Sequence, residues 1–173
     1  MAEVNLPYLQ TYPAHLKAQV AGLLAQSDGV ARWLVQRHGT QTHQLRSDKA
    51  LHAYVDGLKV RHMRNAGMLH SVGYDNKIHV VRNALGLHTR KALVQGGRLK
   101  ARHEIRIAAM FRHVPEAFLK MIVVHELAHL READHDKDFY ALCTYMEPSY
   151  HQLEFEVRVY LSHLDAGGEK LWQ

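Results

Sequence analysis

The sequence predicts an α+β fold: N-terminal helices, a small, mostly antiparallel sheet, a central helix and C-terminal helices. Three observations predict it. Apolar residues recur at helical spacing through the first third, period-two alternation follows over residues 103–108, and a strongly apolar helical run then carries His125-Glu126-Leu127-Ala128-His129. The 173 residues are expected to form one domain, with a helical part at 1–66 and a sheet and site part at 74–164.

Leu16, Val20, Leu23 and Leu24 mark a first helix, and Ala31, Leu34 and Val35 a second after the Ser27-Asp28-Gly29 break. A further helix is expected from about Asp48 to Asn65, with Leu51, Tyr54, Val55 and Leu58 on one side and Ser47 or Asp48 as its cap. Lys77-Ile78-His79-Val80-Val81 is β-branched enough for a strand. Glycines at 86, 96 and 97 make residues 85–98 read as a loop that ends in a tight turn. In residues 103–108, Ile105 and Ile107 face one way and Glu104 and Arg106 the other, the pattern of a half-buried strand.

Pro115 then opens a helix where its missing N–H costs nothing. Phe118, Met121, Ile122, Val124, Leu127, Ala128 and Leu130 surround that helix, so it belongs in the interior. A break is needed near Glu132-Ala133-Asp134, after which Asp134 or Asp136 can cap a helix through Phe139, Tyr140, Leu142 and Cys143. Met146-Glu147-Pro148-Ser149 ends it, and Leu153, Val157, Tyr160, Leu161 and Leu164 stripe the last helix, up to Gly167-Gly168.

On a helix, His125 and His129 at i and i+4 lie on one face, and both Nε2 atoms can reach one ion. A third ligand is available in His135. On an unbroken helix it would sit about 15 Å along the axis from His125, so the chain has to turn back after His129. Glu154 or Asp138 could take the third place instead. Three protein ligands with water in the fourth position is the catalytic form of zinc, and another divalent metal could be held in the same way. Zinc brings the pKa of its water to about 7, and Glu126 is placed to take the proton as the water attacks a peptide carbonyl or a phosphorus centre.

Residues 57–113 hold twelve Lys and Arg against two acids, a net +10, while the whole chain carries +5. Arg98, Lys100, Arg102 and Arg106 are therefore candidate substrate-binding cations. No run approaches the roughly 18 apolar residues of a membrane span, no signal peptide is evident, and Cys143 is the sole cysteine. Together these point to a cytoplasmic protein without a membrane partner.

The stretches 123–130, 135–142 and 146–155, with Tyr74–Val80, Asn83–Thr89 and Val94–Lys100 upstream, resemble the YgjP-like metal-dependent hydrolases, the DUF45 or M48-like metallopeptidase group. The resemblance implies a compact zincin-like domain, His125, His129 and His135 as ligands, Glu126 as base, and a strand at 103–108 lying along the cleft. It also implies a choice of chemistry, because nucleotide pyrophosphohydrolase activity is attributed within the group. The leading expectation is a zinc-dependent hydrolase of metallopeptidase type acting on peptides, its strand pairing with peptide backbone. The alternatives are a hydrolase of nucleoside triphosphates and, less favoured, a nucleic-acid-binding protein with a structural zinc.

Overall fold

A computed structural model describes residues 4–78, 86–95 and 98–173, and of these the side chains at 4–78 and 103–173. After a 3-10 turn at Pro7–Leu9 come α1 (Ala14–Leu24), α2 (Gly29–His38) and α3 (Asp48–His62). Strands β1 (Leu69–Asp75), β2 (Gly86–Gln95) and β3 (Arg98–Ala108) follow, then a 3-10 turn at Ala109–His113. Helices α4 (Glu116–Ala128), α5 (Lys137–Met146) and α6 (Tyr150–Asp165) complete the chain. The architecture is α+β, with helices at both ends of the sequence and a small sheet between them.

The helices begin and end where local chemistry directs. Ser47 caps α3 by accepting a hydrogen bond from the Ala50 N–H. That leaves the neighbouring Asp48 free to accept from the Tyr74 N–H at 2.9 Å, which pins the start of α3 to β1. Such an approach suits Gly73, where a Cβ would stand 3.1 Å from the Asp48 carboxyl. Asp136 caps α5 through the Phe139 N–H.

The sheet differs from the expectation. Its order is β1-β3-β2, with β2 antiparallel and β1 parallel to β3, so it is mixed rather than mostly antiparallel. Two residues separate β2 from β3, a connection that allows only antiparallel pairing; β1 is free to pair parallel through the longer connection. The first strand lies at Leu69–Asp75, ahead of the β-branched run: Lys77 and Ile78 lie outside any strand, and residues 79–81 lie outside the described residues. Residues 86–95, read as a loop, form β2; the expected Gly96-Gly97 turn falls outside the described residues.

Helix α4 is the hub. Phe118, Leu119, Met121, Ile122, Val123, Val124, Leu127 and Ala128 are all fully buried, and α3, α5, α6 and the sheet pack around them. Each large side chain so covered contributes roughly 1.5–3 kcal/mol. The core extends from Leu6 to Trp172. Trp172 packs edge-on against Phe118 and Tyr160 and donates its indole N–H to the Gly39 carbonyl at 3.0 Å.

Buried Glu156 ties α6 to α2. It accepts from Arg37 Nε and, at 3.0 Å, from Gln152 Nε2, while His38 Nε2 lies 2.5 Å from its second oxygen. Burial alone would raise the Glu156 pKa, but the bonds from His38, Gln152 and Arg37 outweigh it and hold the carboxyl below its ordinary 4.5. A carboxylate depressed in the folded state stabilises above its unfolded pKa, and that contribution disappears as pH falls through the folded value. Urea unfolding of Glu156→Gln should accordingly show a loss of about 2 kcal/mol at pH 7. The gap to the parent protein should close on acidification below pH 4.5 and stay constant above it.

Candidate metal centre

The chain reverses direction where α4 ends. His129 caps the helix in αR geometry, and the N–H groups of Leu130, Arg131 and Glu132 turn back onto the carbonyls of Leu127 and Ala128. This reversal returns His135 to the face of α4 that carries His125 and His129. His135 Nε2 lies 3.2 Å from His125 Nε2 and 3.0 Å from His129 Nε2, and one ring nitrogen from each of the three falls within 4.8 Å of the others. Four ligands at about 2.05 Å in a tetrahedron around zinc are spaced by about 3.3 Å, and the two separations that His135 makes are close to that value.

The outer nitrogens are tied down. His125 Nδ1 is 2.7 Å from the Tyr150 hydroxyl, and His129 Nδ1 is 2.9 Å from the Glu132 carbonyl. With the proton on Nδ1, each ring donates to its oxygen and turns a free Nε2 lone pair toward the cluster. Burial, with repulsion from His129 and His135, brings the His125 pKa down to about 3, so this ring is uncharged at neutral pH. His135 is lowered too, chiefly by burial and then by His129. Below them Phe139, fully buried in the first turn of α5, touches all three imidazoles at centroid distances of 4.7–5.0 Å. The donor set, the spacing and the fixed tautomers all fit a divalent cation.

Glu126, next in sequence to His125, is 2% exposed, and burial pushes its pKa up to about 8. Neither alternative third ligand joins the cluster. Glu154 is held by Arg158 Nε and Nη2 at 3.2 and 3.1 Å, and Asp138 is exposed on α5. Of the four candidate substrate-binding cations, Arg98, Lys100 and Arg102 lie on β3 with side chains outside the described residues. Arg106 is half-buried on the same strand. The expected cleft strand 103–108 is the centre of the sheet, paired with β1 on one edge and β2 on the other. Its backbone groups are already used, and an extended peptide cannot add to it.

Sequence reasoning missed a second part of the site. A cavity of about 580 Å³ opens beside His125 and His135, walled on one side by residues 7–8 and 10–13 and on the other by Tyr140, His151, Glu154 and Arg158. Arg158 Nη1 donates to the Tyr8 carbonyl at 3.0 Å and so fastens the N-terminal wall to α6. The spacing of Tyr150, Glu154 and Arg158 at i, i+4 and i+8 was the available signal, since it puts all three on one face of α6.

The model of the YgjP-like, metallopeptidase domain matches residues 74–158, which include all three histidines and Glu126. The chain is also 53% identical to UTP pyrophosphatase of Escherichia coli (strain K12) over 167 residues, 96% of this chain and 99% of that protein. The chain belongs to the YgjP-like family. It is a metal-dependent hydrolase. No solved structure matches it.

The expectation of a peptidase does not hold. A relative that matches almost end to end is named for a nucleotide rather than a peptide, and the strand meant to bind peptide backbone has both edges occupied. A closed structural zinc would need a fourth protein ligand, and among the described residues the cluster consists of three histidines. No helix among the described residues is long and apolar enough to cross a membrane.

Removing the support of one imidazole should loosen the ion without unfolding the protein. Tyr150→Phe keeps the ring and deletes the oxygen that meets His125 Nδ1, and zinc affinity measured by chelator competition should fall about 10–100-fold. Unchanged affinity would mean that the Tyr150 hydroxyl does not orient His125.

Proposed function

We propose that the chain hydrolyses nucleoside triphosphates, UTP foremost, at the α–β anhydride to give the monophosphate and pyrophosphate. The observation that carries this reading is the 53% identity to a UTP pyrophosphatase across 96% of the chain. Water attacks the α-phosphorus, the bond from that phosphorus to the α–β bridging oxygen breaks, and pyrophosphate departs with the electron pair. His125, His129 and His135 would hold the ion, and three imidazoles with an open place suit zinc. A bound ion would supply Lewis acidity to the reaction.

The chain's own groups do the rest. Glu126 takes the proton from the attacking water; a carboxyl lifted toward neutrality by burial exchanges protons readily near pH 7. Arg98, Lys100, Arg102 and Arg106 are proposed to receive phosphates, a role supported by the +10 charge of residues 57–113. The whole chain works as one zincin-like domain in this reading, since one core runs from Leu6 to Trp172 through both the helical part and the sheet part. A nucleotide substrate and a buried free thiol at Cys143 fit a cytoplasmic setting.

Zinc-loaded protein should convert UTP to UMP and pyrophosphate, read by phosphorus NMR, and lose this activity on chelation. Glu126→Gln should lower kcat by about 10²–10⁴-fold with zinc still bound. Full turnover by that variant would remove Glu126 from the reaction, and failure to hydrolyse any nucleoside triphosphate would overturn the assignment. Neutralising Arg98, Lys100, Arg102 and Arg106 together should reduce kcat/KM for UTP at unchanged zinc content.

A further inference from the structure

The cavity beside the imidazole cluster has a character that phosphate alone does not explain. Its rings are Tyr8 and Tyr12 on the N-terminal wall and Tyr140 and His151 opposite. Tyr140 and His151 lie 5.4 Å apart between centroids and tilt by 36°, and together they form a step of aromatic surface. Burial and then Glu154 raise the Tyr12 pKa, with a smaller contribution from the Tyr140 hydroxyl, and Tyr12 lines the same cavity as both. Gln10 and Thr11 are exposed at the same mouth and carry an amide and a hydroxyl, groups able to both donate and accept.

The charges in the cleft cancel. Glu154 is paired with Arg158 at 3.1 Å, and Arg158 is further engaged by the Tyr8 carbonyl. A bare polyphosphate would gain little from such a surface. A flat, uncharged group with hydrogen-bonding edges would gain from the rings by stacking and from Gln10, Thr11 and the Glu154–Arg158 pair by hydrogen bonding. The opening is large enough, since about 580 Å³ lies within the usual 300–1,000 Å³ range of small-molecule sites. His125 and His135 line the same cavity, so a ligand filling it reaches the cluster.

We infer that this cleft is the nucleoside subsite of the enzyme: base and ribose lie between residues 8–12 and the Tyr140–His151 step, and the triphosphate leads from them to the imidazoles. The inference rests on the nucleotide reading above and adds to it the residues that select a nucleotide over a simple polyphosphate. Tyr140 and His151 provide the stacking surface. Gln10 and Thr11 meet the edge of the base.

The test compares UTP with inorganic tripolyphosphate, which has the same anhydride and no nucleoside. In zinc-loaded, full-length His151→Ala and Tyr140→Leu, the ratio of kcat/KM for UTP to that for tripolyphosphate should fall about fivefold or more, the effect of losing one stacking partner. A ratio equal to that of the parent protein in both variants overturns the subsite. Equilibrium dialysis of uridine against the unaltered protein needs no variant to fold: uridine should bind, and Gln10→Ala, at an exposed position, should weaken that binding. Absence of uridine binding also overturns the subsite. Uridine binding without triphosphate hydrolysis would instead sink the catalytic reading and leave the subsite standing.

Discussion

His135 Nε2 stands about 3 Å from the Nε2 atoms of both His125 and His129, where unprotonated lone pairs repel unless a cation stands among them, and much of the molecule serves to impose that crowding. Helix α4 sets two of the rings by spacing alone. The third arrives because the chain reverses after His129, Asp136 starts a new helix, and that helix brings Phe139 under all three rings. Tyr150 and the Glu132 carbonyl then fix which nitrogen of His125 and of His129 faces the ion. Each of these contacts costs conformational freedom and would be of little value to a protein that carried no metal.

The same interior explains the chemistry of Glu126. A carboxyl 2% exposed in the core helix gives up hydration, which is why its proton is held so tightly. The apolar shell of α4 therefore supports the fold and sets the proton affinity of Glu126 at once. The core is not interchangeable with any other of equal volume, because admitting water beside Glu126 would return its pKa toward the ordinary value.

The helices were legible because their signals are local. Ser47, Pro115 and Asp136 mark starts, periodic apolar residues mark faces, and the i, i+4 histidines need nothing beyond the helix itself. The strands were harder because neighbours decide them. Leu69–Asp75 contains a histidine, a serine and a glycine and has weak intrinsic preference, yet it becomes β1 by pairing with β3 and by the hold of Asp48 on the Tyr74 N–H. Gly86–Gln95 carries Arg90 and Lys91 and reads as surface loop, a composition that suits an edge strand. The cleft left even less trace: its two walls lie more than a hundred residues apart, and the peptide reading depended on a strand whose central place in the sheet only tertiary pairing reveals.

The bond from Arg158 to the Tyr8 carbonyl has a practical corollary. It makes residues 7–13 a wall of the cleft beside His125 and His135, although they bear no recognisable motif. Shortening the protein there, or fusing bulky cargo to that end, would alter this cleft while leaving the three clustered histidines untouched.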